Sequence, residues 1–260
     1  MSPTTVINSF TPAPPPEVGG DLYGPEPYDY NFCTAVDFSR LETDRVALTP
    51  LIPRIHAPLW FEQASQDPSF EAWMSFRNDT LEQLLKRLEG WRRNPTQLVL
   101  AIIDKGRPGQ APIVPSGSFA GLIGLVRHSS QNLTTKMAPV MVFKPFQRTY
   151  VTSSAIGLLL RYCLEVPANG GLGLRRVEWT ANALNAASVN AAVRMGFKHE
   201  ATLRWSSILI DKEKVGDGRS LREGDPKPDK GGRDNEIFAF CWEDWEAAGR
   251  DLVQARLDRK

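Results

Sequence analysis

Three consecutive strings constrain this chain most. "APVMVF" (138–143) reads as a strand, "TSSAIGLLLRYCLE" as a helix and "RRVEWTA" as another strand. In the middle string Ile156, Leu159, Leu160, Cys163 and Leu164 share one helical face, and Pro167 with Gly170-Gly171 stops it. In the last, Val177, Trp179 and Ala181 share one strand face. Strand, helix and strand in that order make a β-α-β crossover. The strings on either side read as antiparallel meanders. Before the crossover come "RVALTPL", "QLVLAII" (97–103) and "AGLIGLVR" (120–127), with helices at "HAPLWFEQAS" and "TLEQLLKRLEGW". Pro58 fits the first turn of the former, and Thr80 with Gln83 makes a capping box for the latter. After the crossover come a short alanine-rich helix, "HEATLRWSSILI" and "NEIFAFCW". The order β-α-α-β-β-β-α-β-α-β-β predicts an α+β, or mixed α/β, single domain around one central sheet flanked by helices.

With 260 residues the chain can bury a proper core, and a formal net charge of +1 gives no reason to expect nucleic acid or an anionic membrane as partner. The pair Arg175-Arg176 is too small a positive cluster to change that. No apolar run reaches the ~20 residues of a membrane span, and the N-terminus lacks a basic region followed by an apolar one. Cys33, Cys163 and Cys241 are dispersed and odd in number, so neither a disulfide framework nor a thiolate metal site is expected. The expectation is a reduced, cytoplasmic protein with buried thiols, in which the sequons at Asn78 and Asn132 are chance. Residues 1–40, rich in proline and glycine, read as a flexible extension that docks through Tyr28, Tyr30 and Phe32. The folded domain is expected over 41–260, with a long charged loop at 211–234.

Common chemistries are excluded by pattern. Gly171 and Gly173 form a GxG, but after a helix and before a strand, the reverse of a dinucleotide fingerprint. There is no GxxxxGK[ST] loop and no GxSxG elbow. His56, His128 and His199 are too scattered for a zinc site, and no metal is expected. Two stretches remain. In "KPFQRTYVTSS" a strand runs into a helix start, where backbone N–H groups and the helix dipole suit a pyrophosphate. Gln147, Arg148 and Thr149 add donors there; equally, the segment is a plain turn with Thr152 or Ser153 as N-cap. In "NALNAASVNAAVRMGF" Asn185 is a good N-cap and Gly196 a good C-cap, so local helix physics alone accounts for the pattern.

Taken together, these stretches resemble the GNAT superfamily of acyl-CoA-dependent N-acetyltransferases, in its ribosomal-protein-alanine acetyltransferase-like (RimJ/RimL-like) branch. "LETDRVALTPLIPRIHA" is similar to that branch's first strand and helix, and "PFQRTYVTSSA" to a "QRT" variant of its pyrophosphate loop. "VEWTANALNAASVNAAVRMGFKHEATLR" resembles its strand, N-x-x-S helix and G-F-x-x-E strand, and "GGRDNEIFAFCWEDW" its final strand. "PYDYNF" is similar to fungal members.

The resemblance implies a splayed, mostly antiparallel sheet that admits acetyl-CoA beside strand 138–143. Backbone groups near Val142 and Phe143 would pair with the pantetheine arm. Gln147, Arg148, Thr149, Tyr150, Val151, Thr152 and Ser153 would hold the pyrophosphate. Asn185 would bind the pantetheine, and Ser188 would protonate, or relay a proton to, the leaving thiolate. The acceptor would be a small-molecule or peptide amine, attacking directly in a ternary complex. Members of the branch often pair through their sheets, so monomer and homodimer both stay open.

The chain departs from the family pattern in places. Arg148, Tyr150 and Thr152 stand near the loop's usual glycines, Ser154 where a glutamate is usual, and Asn182 where an aspartate is common. Met137-Ala138-Pro139 replaces a Glu-Ile-Gly whose glutamate is a candidate base, and Pro139 removes an N–H. His128, Glu178 and Asp234 are the alternatives for a base, with Asp234 also suited to fixing the last hairpin. The loop 211–234 reads as a substrate lid or as a disordered insertion. A GNAT-fold protein without acetyl transfer, either a CoA-binding sensor or a repurposed enzyme, is the second reading.

Overall fold

The computed structural model describes residues 8–9, 11, 20–67, 69–108, 117–210 and 214–259. Its centre is the crossover. Strand β4 (Thr134–Val142) leads through a 3-10 turn into helix α3 (Tyr150–Leu164), which returns the chain to β5 (Arg176–Asn182), parallel to β4. Every other strand pair is antiparallel: β1 (Val46–Pro50), β2 (Leu98–Asp104) and β3 (Ser118–Ser129) on one side, β6 (Lys198–Ile208) and β7 (Gly232–Cys241) on the other. The sheet order is β1-β2-β3-β4-β5-β7-β6.

Helix α3 is buried almost all round, because it lies between the sheet and a C-terminal helix. Its closing turn explains the GxG. The amides of Leu172, Leu174 and Gly173 donate to the carbonyls of Tyr162, Cys163 and Glu165, each at 2.8 Å. A Cβ on Gly171 would collide with the Glu165 carbonyl, so that residue must be glycine. The C-terminal helix, absent from the sequence expectation, begins as α5 (Trp242–Asp244), passes a π turn at Trp245–Gly249 and ends as α6 (Arg250–Leu257). Gly157 lets Val253 and Leu257 approach α3 closely. On this face Trp179, Phe197, Phe240 and Trp245 stack in series at centroid distances of 5.6, 5.7 and 6.2 Å.

Helices α1 (Pro53–Gln66) and α2 (Leu81–Arg92) cover β2 and β3. Thr80 caps α2 as expected, by accepting from the Gln83 amide at 3.2 Å, while the Gln83 side chain reaches the Asp79 amide at 2.7 Å. Helix α1 begins at Pro53, so Pro58 lies inside it, past the first turn. Helix α3 likewise begins earlier than its sequence suggested, with Thr149 as its N-cap. The short helix α4 (Ala186–Arg194) follows β5. Of the three thiols only Cys163 is fully buried, which pushes its pKa upward; Cys33 is exposed and Cys241 intermediate.

Residues 20–40 lie against the domain, with Tyr30 and Phe32 packed on the core and the Asp37 amide donating to the Tyr162 hydroxyl at 2.9 Å. The rest of the proposed extension, apart from residues 8–9 and 11, lies outside the described residues. Of the loop 211–234, residues 211–213 lie outside them, while Gly232–Asp234 already belong to β7.

Candidate functional site

Strands β4 and β5 pair over only three rungs, Thr134–Arg176, Thr135–Val177 and Lys136–Glu178. Beyond them β5 pairs with β7 alone, so the sheet has a seam that opens toward the end of β4. Pro139, which has no N–H, stands on β4 just past the last rung. The Phe143 amide donates to Ala120 of β3 at 2.9 Å. Backbone groups alternate along a strand, so the N–H and C=O of Val142 face the seam. That carbonyl accepts from Gln147 Nε2 at 2.8 Å. The Gln147 side chain is therefore engaged with the strand rather than with the helix start.

The start of α3 stands at the open end of the seam. The first four amides of a helix lack intrahelical acceptors. Thr149 Oγ1 takes the Val151 amide at 3.2 Å, which leaves those of Thr149, Tyr150 and Thr152 pointing out of the turn. Arg148, exposed, has φ of 59°, the left-handed conformation that glycine would adopt at no cost. The chain thus makes the bend without a glycine and gains a cation. Ser153 Oγ donates to the Tyr150 carbonyl at 3.0 Å, so its hydroxyl is turned into the helix. The Tyr150 phenol donates to buried Asp104 at 2.5 Å and lies under the Arg45 guanidinium, 3.3 Å from the ring centroid. Burial, with Asp104 adding, raises that phenol's pKa. Sequence reasoning missed this anchor, because its parts are 46 and more residues apart.

Across the seam, Asn185 is the N-cap of α4 and accepts from the Ser188 amide at 3.1 Å. Ser188 Oγ accepts from the Trp179 indole N–H at 3.1 Å. Its own proton is thus left to donate elsewhere. Asn182 accepts from the Leu184 amide at 3.0 Å and donates to the Val215 carbonyl at 2.9 Å, which ties the long loop to β5.

The three candidate bases are far apart. His128 is enclosed by the N-terminal segment, its Nε2 3.0 Å from Thr34 Oγ1 and its ring against Phe32, and burial lowers its pKa. Asp234 accepts from the Trp205 amide at 2.8 Å and pairs with Arg219, which fixes the β6–β7 hairpin. Glu178 alone stands at the seam, 3.1 Å from Arg176. A cavity of about 450 Å³ lies elsewhere, at the far end of α3, between Arg40, Arg161, Glu165 and Arg250. No group of histidine, cysteine and carboxylate side chains suited to a metal occurs among the described residues. Nor is any of their helices long and apolar enough to cross a membrane.

Residues 45–198 match the family model of the acetyltransferase (GNAT) domain. Among solved structures the chain is similar to a GCN5-related N-acetyltransferase from Brucella melitensis, at 23% identity over 83% of each chain with a TM-score of 0.64. It is also similar to Mycobacterium smegmatis RimJ in complex with CoA-disulfide, at 18% identity over 81% of this chain and 88% of that one, with a TM-score of 0.59. A third is an acetyl transferase from Salmonella typhimurium that modifies the N-terminal serine of ribosomal protein L7/L12: 14% identity, 76% and 96% coverage, TM-score 0.56. No curated protein matches the chain.

Proposed function

Because the chain belongs to the GNAT acetyltransferase family, we propose that it transfers an acyl group from acyl-CoA to a primary amine of a small molecule or a protein N-terminus. The observation that carries this reading is the seam: β4 parts from β5 after three rungs, and the amides at the start of α3 stand at its open end. A pantetheine arm laid in the seam pairs with the seam-facing N–H of Val142, while Phe143 keeps the strand on β3. The amides of Thr149, Tyr150 and Thr152 and the Arg148 cation receive the pyrophosphate, in a turn whose shape Val151 and Ser153 help to hold. Gln147 acts one step back, by fixing Val142. Asn185 offers its amide N–H₂ to the pantetheine.

The amine attacks the thioester carbonyl, and the developing oxyanion is stabilised by fixed N–H donors. In this reading the Ser188 hydroxyl, which accepts from the Trp179 indole N–H, relays a proton: it gives its own to the departing thiolate and takes up the one that the attacking nitrogen loses. No carboxylate stands at Met137, where the resemblance implied one. Glu178, 3.1 Å from Arg176, is the base candidate at the seam.

A melting scan with acetyl-CoA tests the first half of the reading, and release of free CoA thiol on adding amines tests the second. A rise in melting temperature with thiol release supports transfer. Stabilisation by acetyl-CoA without release from a broad panel of amines and peptides points to the second reading, a CoA-binding protein that does not transfer, which Met137 and Pro139 favour. No stabilisation at all overturns both.

A further inference from the structure

One face of the seam holds more positive charge than the protein itself neutralises. Residues paired directly across a sheet share a face. Lys136 pairs with Glu178 on the last β4–β5 rung, and Asn182 with Asn235 further along. Side chains two apart on a strand share a face, so Lys136, Glu178, Asn182, Asn235 and Arg233 all lie on one side, opposite α3 and α4. There Arg233 crosses from β7 to the segment between α1 and α2. It donates to the Trp73 carbonyl at 3.1 Å and to Asn235 Oδ1 at 3.0 and 2.7 Å. All of these acceptors are uncharged. Glu178, the carboxylate across the rung from Lys136, is 3.1 Å from Arg176, which also pairs with Glu200 at 2.6 Å, so this face carries the cations Lys136, Arg176 and Arg233 against the carboxylates of Glu178 and Glu200.

Lys136 and Arg233 are both partly buried. Burial lowers the pKa of each, and for Lys136 the charges of Arg127 and Arg233 lower it further while Glu178 opposes them. Cations withdrawn from water and held by neutral partners are costly unless an anion joins them. An acceptor that reaches an acyl group in the seam from the side away from α3 meets both cations.

We propose that the acceptor is a primary amine with a carboxylate close beside it, and that Arg233 and Lys136 receive that carboxylate. This rests on the transferase reading given above. Such an arrangement does two things. The carboxylate offsets the repulsion that an incoming ammonium would meet from the two cations. Once the carboxylate is docked, the same cations disfavour the ammonium over the neutral amine, which does part of the work of the absent base. The ammonium gives one proton to solvent. The neutral nitrogen then forms its bond to the acyl carbon as the C–S bond breaks, and its second departing proton ends on the thiolate, giving amide and CoA thiol.

The same chemistry is found in free amino acids and in acidic peptide N-termini, and paired acceptors separate the two. Alanine against alaninamide tests the first. Amidated dipeptides with aspartate, asparagine or lysine after an N-terminal alanine test the second. The carboxylate-bearing member of at least one set should exceed its neutral twin in kcat/KM by roughly ten- to hundredfold, as for a hydrogen bond to a charged group. Arg233→Gln and Lys136→Gln should each shrink that ratio, chiefly through KM, and Lys136→Glu should turn the preference toward the lysine peptide. Should Arg233→Gln fail to fold for want of its tie to Trp73, the lysine variants read the same quantity. Thiol release with no preference for the carboxylate, or a preference that survives both neutral variants, overturns this proposal and leaves the transferase reading standing. No release from any acceptor overturns both.

Discussion

The two halves of the sheet are built on different plans. In β3 the first eight positions are all buried, and β2 is buried at six of its seven. Helices lie on both faces there, so "LVLAII" and "FAGLIGL" read as unbroken apolar runs. Strand β6 is the reverse: ten of its eleven positions are exposed, including Leu203 and Trp205. Its pairing with β7 is twice shifted by irregularities, which also blunts a free sheet edge. The first half supplies a rigid wall and the second an open polar face. A site that must grip a long co-substrate and still admit an acceptor needs both, and the seam between β4 and β5 is where they meet.

Truncating the wall should have the largest effect. Leu122→Ala, at a side chain with no exposure, should cost about 2–5 kcal/mol in urea unfolding, and Leu203→Ala, 48% exposed, within about 0.5 kcal/mol. Equal costs would break the contrast. Acid comes next. Burial in the covered half holds His56 at about 4, against an ordinary 6.5. The unfolded chain takes up that proton first. The neutral imidazole's contribution is therefore complete above about 6.5 and is lost as pH falls toward 4, to the extent of about 3 kcal/mol. His56→Asn should flatten the stability profile in that window.

At the seam itself, Ser188→Ala strands the N–H of Trp179, which is 3% exposed. About 1–3 kcal/mol of stability should go with it whatever happens to turnover. Measuring melting and thiol release on one sample separates the two roles, and a variant as stable as the parent would remove the structural one. The smallest effect is expected of Arg148→Gly. Relief of a left-handed arginine should add no more than about 1–2 kcal/mol of stability, while KM for acetyl-CoA rises with the loss of the cation.

Much of this was legible in local pattern. The crossover, the Thr80 cap and the Asn185 cap follow from spacing within a few residues. What escaped depended on partners far away in sequence. Strand β4 starts at Thr134 rather than 138, because a proline in mid-strand hides the period. The final helix buries Trp245, Gly249 and Val253 at fourfold spacing, a signal present in "WEAAGRDLVQARL" but masked by its charges. The anchoring of Tyr150 by Asp104 and the sheet order that places β7 between β5 and β6 are set by long-range pairing, and no window of sequence contains them.

The seam has a consequence in time as well as in space. Strands β1 to β4 occupy Val46–Val142 and β5 to β7 occupy Arg176–Cys241, so each half is contiguous in the chain and can assemble through its own neighbours. Three rungs, α3 and a few side-chain ties such as Arg233 to the Trp73 carbonyl join them. The amide hydrogens of Thr134–Lys136 and Arg176–Glu178 that face across the seam should then exchange by an opening that leaves the meanders closed. A molecule lying across the gap would act as a rivet, slowing exchange in both halves together.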